Sequence, residues 1–266
     1  MKNETLRSYR VFLIDVDGVL VRGGEVVPGA VEGLAKLQKM GRVLLLTNNS
    51  TRSREQVALN LRRSGFSLRA EEIVSSAFIA GAYLSEHYGS VRVWPLGEEG
   101  LDLELASAGH KLVSPQEAEW VVAGMDRDLN YDKLAKALLA LSSGGRLLAT
   151  NEDRTFPTAD GPRPGAGATV GALTGMGYPP TIVVGKPSKI AFEIALETAD
   201  CEREEALMIG DRMETDILGA REAAIDSAIV LTGVTRSEEM IVASAAPRFV
   251  ADSILDLAEG RFTETN

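Results

Sequence analysis

The stretch Tyr9-Arg-Val-Phe-Leu-Ile-Asp15-Val-Asp17-Gly18 decides how this chain is read. Tyr9 to Ile14 has the length and apolar character of a buried strand, and two acids and a glycine end it abruptly. Working outward, Pro28 opens a segment in which Val31, Leu34, Leu37 and Met40 recur at helical spacing, and Gly41 stands where a helix C-cap belongs. Val43 to Leu46 is a second continuous apolar run, after which Ser53 and Gln56 form a capping-box pair for a helix ending near Gly65. The unit strand, loop, helix is thus used twice in succession.

The far end of the chain repeats it. Thr181 to Val184 reads as a strand, Ile190 to Leu196 as a helix, Ala206 to Ile209 as a strand, Ile217 to Ala224 as a helix and Ala228 to Leu231 as a further strand. Continuous apolar strands alternating with helices predict an α/β fold, a Rossmann-like doubly wound parallel sheet covered on both faces, with ligands bound beyond the carboxyl ends of the strands. The pattern changes between the two halves. Residues 80–179 are expected to form an inserted, smaller α/β domain with strands at Val91 to Trp94, Trp120 to Ala123 and Arg146 to Ala149 and a helix over Tyr131 to Leu141. Residues 1–79 and 180–266 then make the core. Glu152 to Gly167, with Pro157, Pro162, Pro164 and three glycines, is expected to be an ordered loop without regular structure.

Composition narrows the function classes. With 45% hydrophobic and 25% charged residues, collagen-like and disordered readings are excluded. A net charge of −10 disfavours a nucleic-acid polymer or an anionic membrane as partner, because both need a cationic surface. No apolar run is long enough to cross a bilayer, Met1 to Arg10 is too polar for a signal peptide, and the single Cys201 has no internal partner. A cytoplasmic location is the expectation.

Sorting residues by position after the strands gives Asp15 and Asp17 after the first, Thr47 after the second, Lys186 after Thr181 to Val184, and Asp211 with Asp216 after Ala206 to Ile209. In a doubly wound sheet these loops meet at one rim. So many carboxylates would repel one another unless a hard divalent cation with oxygen ligands held them together, and Mg²⁺ suits a site that also meets a phosphate. A carboxylate can then serve as nucleophile toward phosphorus. Asp15 and Asp17 are two apart, so extended backbone would turn both side chains toward one centre, and Gly18 would let the chain turn immediately afterwards.

Asp15-Val-Asp17-Gly-Val-Leu, Leu46-Thr47-Asn-Asn-Ser-Thr, Gly185-Lys186-Pro187 and Gly210-Asp211-Arg-Met-Glu-Thr-Asp216 together resemble the four motifs of the haloacid dehalogenase superfamily, in its phosphatase branch. The place of the insert is similar to that in the 4-nitrophenylphosphatase, phosphoglycolate phosphatase and NagD-type subfamily. The resemblance covers essentially the whole chain, with no departure at a motif residue. It implies a Mg²⁺-dependent hydrolase of small phosphate monoesters, with Asp15 as nucleophile and Asp17 as general acid and base. Thr47, Asn48 and Asn49, with Lys186, would bind the phosphoryl group. Asp15, the Asp17 carbonyl and Asp211 would hold the metal, and Asp216 would orient Lys186 or a metal-bound water. The inserted domain would be a cap supplying substrate recognition, with Asp126-Arg127 and the Asn151 to Gly167 stretch as candidates. Phosphoglycolate, nucleoside monophosphates, sugar phosphates and pyridoxal phosphate are all compatible substrates. Similar proteins include cap-mediated dimers, which makes a homodimer an expectation.

Other motifs lack their parts. Gly165-Ala-Gly167 follows a proline-rich stretch rather than a strand, and Gly185-Lys186 has no upstream glycine at P-loop spacing. His87, His110 and Cys201 lack the neighbours of histidine- or cysteine-based phosphatases, and Trp94 and Trp120 read as core. Two rivals share the acidic cluster. A receiver-like signalling module would need no inserted domain of this size and no second acid two residues beyond the first. A phosphotransferase or mutase would yield isomerised product instead of free phosphate.

Overall fold

The computed structural model describes residues 6–158, 160–235 and 246–265, and the chain divides into two compact units. The first comprises Met1–Thr47, Ala58–Val74 and Lys186–Asn266. The second comprises Asn48–Val57 and Ser75–Gly185, so it takes in a short early segment as well as a stretch wider than the expected 80–179.

In the first unit the strand Val11–Ile14 is central and all four of its residues are buried. It pairs in parallel with Arg42–Thr47 on one side and with Ala206–Gly210 on the other. Beyond Ala206–Gly210 lie Asp226–Val230 and Phe249–Ala251, both parallel, and the antiparallel Thr263–Glu264. Ile73–Ser75 closes the opposite edge. Strands buried on both faces need no polar alternation, which is why they read as unbroken apolar runs. Each large side chain taken fully out of water there contributes about 1.5–3 kcal/mol. The helix Ala30–Leu37 buries Ala30, Gly33, Leu34 and Leu37. It packs on the helix Ile254–Ala258, so closely that a Cβ on Gly33 would lie 2.8 Å from the Leu255 nitrogen.

The chain runs from the central strand outward to one edge and returns to build the other side, so the order reverses between Val11–Ile14 and Ala206–Gly210. Loops leaving two such neighbours diverge and open a crevice. Ile14 is level with Leu45 and Ile209, so Asp15 and Asp211 flank the reversal.

The second unit carries its own parallel sheet in the order Ile182–Val183, Arg146–Ala149, Trp120–Ala123, Arg92–Leu96, Lys111–Leu112. Trp120 is fully buried, and Trp94 packs against this unit's apolar core. Two expectations are corrected. Thr181 to Val184 does not extend the first sheet, because Ile182–Val183 pairs with Arg146–Ala149 in the second. Glu152 to Gly167 is not irregular: Thr155–Thr158 and Gly161–Pro164 form an antiparallel hairpin, and a helix begins at Ala166. Proline is tolerated there because a two-stranded ribbon leaves alternate N–H groups without a ladder partner. Among the described residues, no helix is long and apolar enough to cross a membrane.

Candidate active site

The site grows from the end of the central strand. Extended backbone stops at Ile14, and the Asp15 amide still donates to the Ile209 carbonyl at 2.8 Å. The chain then bends at Val16 and turns at Gly18, whose φ is +94°. Leu20 and Val21 amides donate to the Val16 carbonyl, closing that turn. Strand pairing therefore ends before Asp15, so the strand period alone does not set the direction of Asp17, although the Asp17 charge is near enough to act on Asp15. Asp15 is buried and Asp17 is exposed.

Lys186 is almost fully buried, and its Nζ donates to Asp15 Oδ1 at 2.7 Å and to Asp216 Oδ1 at 2.6 Å. A buried ammonium carries a large desolvation cost unless it is paired and hydrogen-bonded. Burial pulls the lysine pKa down, and the two carboxylates more than reverse that, holding it above the ordinary lysine value. The opposite holds for Asp15: burial pushes its pKa well above the usual carboxylate range, against the pull of Lys186 and with the help of Asp216, Asp211 and Asp17.

Asp216 lies in a π-helical turn, Met213–Ile217, a conformation that often marks functional positions. Its second oxygen, Oδ2, accepts from the amides of Asp211 and Arg212 at 3.2 and 3.0 Å, so both its oxygens are engaged. Gly210 makes room for it, since a Cβ there would sit 2.3 Å from the Asp216 carboxyl carbon.

Asp211 is fully buried, and burial followed by the nearby Asp216 charge pushes its pKa up to about 7. Its Oδ2 accepts from the Val234 amide at 2.7 Å, but among the described residues its buried Oδ1 has no hydrogen-bond partner. A buried carboxylate oxygen without a hydrogen-bond partner is costly, and a cation held there would satisfy it. Among the described residues, Asp15, Asp211 and Asp216 form a cluster offering three carboxylate oxygens within 4.8 Å of one another. Oxygen donors of this hardness suit Mg²⁺.

Thr47, the last residue of Arg42–Thr47, is buried in the same unit. Asn48 and Asn49 fall in the second unit. The Asn48 side chain donates to Asp153 Oδ2 at 3.1 Å, and its carbonyl accepts from Ser76 Oγ and Asn151 Nδ2, both at 2.8 Å. Asn49 Oδ1 accepts from the Thr51 amide and hydroxyl at 2.9 and 3.1 Å, forming an Asx turn. Of the other candidates, Asp126 accepts from Lys133 Nζ at 2.6 Å, and Arg127 makes a two-point pair with Glu98 at 2.8 and 2.5 Å.

Sequence reasoning missed the loop Leu231 to Thr235. Applied to Asp226–Val230, the strand-end rule would have found it; what hid it is the absence of any charged residue.

Comparison with known proteins places this geometry. A family model described as haloacid dehalogenase-like hydrolase matches residues 12–111, and a second, HAD-hydrolase-like model matches residues 183–257. The sugar-phosphatase AraL of Bacillus subtilis is 37% identical over 250 residues, covering 93% of this chain and 91% of that protein. Among solved structures, the p-nitrophenyl phosphatase from Archaeoglobus fulgidus superposes with a TM-score of 0.89 at 35% identity, over 94% of this chain and 98% of that one. A glycerol phosphate phosphatase from Mycobacterium tuberculosis in complex with magnesium gives 0.87 at 33%, over 95% and 77%. With the strand-end carboxylates, the buried lysine and these matches in agreement, the chain belongs to the haloacid dehalogenase-like hydrolases, in their class IIA subfamily.

Proposed function

We propose that this protein is a Mg²⁺-dependent phosphatase of small phosphate monoesters in which Asp15 attacks phosphorus and Asp17 handles the proton. The observation that carries the reading is the buried constellation of Asp15, Lys186, Asp216 and Asp211 with one carboxylate oxygen, Asp211 Oδ1, left without a partner among the described residues. Asp15, Asp211 and the Asp17 carbonyl would hold Mg²⁺, which would neutralise negative charge on the phosphate oxygens.

The chain's own groups supply the rest. Asp15 must be ionised to attack, and Lys186, bonded directly to it, opposes the effect of burial. As the Asp15 oxygen bonds to phosphorus, the bond to the leaving oxygen breaks, and the Asp17 carboxyl gives that oxygen its proton. The resulting Asp17 carboxylate takes a proton from water, which attacks the aspartyl-phosphate and releases inorganic phosphate with Asp15 restored. Exposure of Asp17 beside a buried Asp15 suits the two roles. Thr47 offers its hydroxyl to the phosphoryl group. Asp216, with both oxygens committed, aims Lys186.

Sugar phosphates are the first substrates to try, since AraL carries that activity in its name. A homodimer and a cytoplasmic location belong to the same reading. A panel of phosphate monoesters, assayed with and without Mg²⁺ for wild type, Asp15→Asn and Asp17→Asn, tests it. Phosphate release should need Mg²⁺ and vanish in Asp15→Asn, while Asp17→Asn should keep, at best, a slow first half-reaction with nitrophenyl phosphate. Unaltered turnover by Asp15→Asn would end the mechanism, and isomerised product in place of free phosphate would favour the mutase reading.

A further inference from the structure

We infer that the loop Thr232-Gly-Val234 is a positioning element for the metal, restricting Asp211 to a single ligand oxygen and locking the turn that carries the Asp17 carbonyl. The inference rests on the Mg²⁺-dependent reading above, but on residues to which that reading gives no role.

Three contacts, all within the first unit, converge on this loop. The Val234 amide engages Asp211 Oδ2 at 2.7 Å, which leaves Oδ1, without a hydrogen-bond partner among the described residues, as the oxygen turned to a metal. The Thr235 amide donates to the Asp211 carbonyl at 3.2 Å, which fixes the backbone of the same residue. Thr232 Oγ1 donates to the Gly18 carbonyl at 2.6 Å. On the other side of Gly18, its amide donates to the Val21 carbonyl at 2.7 Å. In a trans peptide the C=O and N–H point in opposite directions, so that bond turns the Asp17 carbonyl away from Val21. Both peptides flanking Gly18 are therefore pinned, one of them by Thr232.

Steric room agrees. A Cβ on Gly233 would fall 1.8 Å from Asp211 Oδ2 and 2.3 Å from its carboxyl carbon, and a Cβ on Gly18 would fall 2.3 Å from the same oxygen. Two glycines thus sandwich one carboxylate, and neither tolerates a methyl group without moving it. Groups that orient metal ligands from behind typically change metal affinity when lost, and a carboxylate limited to one oxygen suits the tight octahedral demand of Mg²⁺ better than the larger shell of Ca²⁺.

The test measures Mg²⁺ binding directly, by titration calorimetry on the full chain with no substrate present, for wild type, Thr232→Ser, Thr232→Val and Gly233→Ala. Thr232→Val and Gly233→Ala should weaken Mg²⁺ binding by about tenfold or more, and Thr232→Ser should keep wild-type affinity because it keeps the hydroxyl. In nitrophenyl phosphate assays the two weak binders should need more Mg²⁺ for half-activation, with the KM for substrate at saturating Mg²⁺ unchanged for Thr232→Val. Wild-type Mg²⁺ affinity in Thr232→Val overturns the inference, as does a deficit that Thr232→Ser shares. If Gly233→Ala does not fold, the Thr232 pair decides. Should the wild-type protein itself bind no Mg²⁺, the failure lies with the proposed function and not with the loop.

Discussion

The two parallel sheets present the same kind of rim, and they treat charge in opposite ways. At the strand ends of the first unit, Asp15 and Asp216 share one lysine with Asp211 close to both, Asp15 and Asp211 are held far from ordinary carboxylate behaviour, and among the described residues a buried oxygen has no partner. At the strand ends of the second unit the polar groups are paired off. Arg127 holds Glu98, Lys133 holds Asp126, and Asn151 and Asp153 hold Asn48. The segment 48–57 also settles on that rim: Ser50 Oγ accepts from the Met125 amide at 3.1 Å, and Glu104 binds the Arg54 amide and guanidinium. Both sheets have a rim of parallel strand ends where ligands could bind, but among the described residues only the first keeps a buried carboxylate oxygen without a partner there, and perturbed buried charge is characteristic of functional sites.

The comparison can be broken most sharply at Asp15. Asp15→Asn keeps the shape and removes the proposed nucleophile, so phosphate release should fall by at least about a thousandfold while the folded state persists by circular dichroism. Next is Lys186→Met, which strands two buried carboxylates. Loss of one partner from a buried pair costs about 3–5 kcal/mol, so a clear fall in the urea midpoint should accompany loss of turnover.

The third test sharpens the contrast through pH. Asp15 and Asp211 have folded-state pKa values raised above their unfolded ones, so without metal they contribute stability that is fully present below the unfolded value and is lost as pH rises, for Asp211 through about 7. Metal-free protein should therefore lose stability between about pH 4 and 7 from this rim. Mg²⁺ competes with those protons, so the rise in Tm on adding it should be larger at pH 8 than at pH 6. Thermal melts with and without Mg²⁺ across that range check the sign. Glu98 in the second rim behaves the other way. Its pKa is lowered, chiefly by the Arg127 hydrogen bond, so its contribution holds above the unfolded value and fades only in acid. The smallest effect belongs there: with Arg127 more than half exposed, Arg127→Ala should cost about 1 kcal/mol or less. A larger cost would mean that the second rim is less settled than its pairing indicates.

Much of this was legible in the residue order. Trp120–Ala123 and Arg146–Ala149 emerge at the very bounds read from the sequence, and Ser53 and Gln56 make the expected capping box, with each backbone amide bonded to the other's side chain. The acids, the threonine and the lysine stand just past the ends of apolar runs, where a parallel sheet puts its chemistry. Less legible was the stretch around Pro157, Pro162 and Pro164, which reads as broken because proline is a poor strand former, yet an isolated ribbon accommodates it. Asp15 and Asp17 show the limit of spacing arguments, since a two-residue period holds only while the backbone stays extended.

By itself, then, the order of residues determined which segments are buried, where they stop and which charged groups stand at their ends, because apolar periodicity and turn chemistry act locally. Only the tertiary structure decided that Ile182–Val183 joins the second sheet while Lys186 reaches Asp15, that Asp211 Oδ1 has no partner among the described residues, and that an uncharged Thr-Gly-Val loop grips the carboxylate beside it. An apolar run records that it will be buried. Its partner is chosen when distant parts of the chain close on one another, and that choice leaves no mark on the run itself.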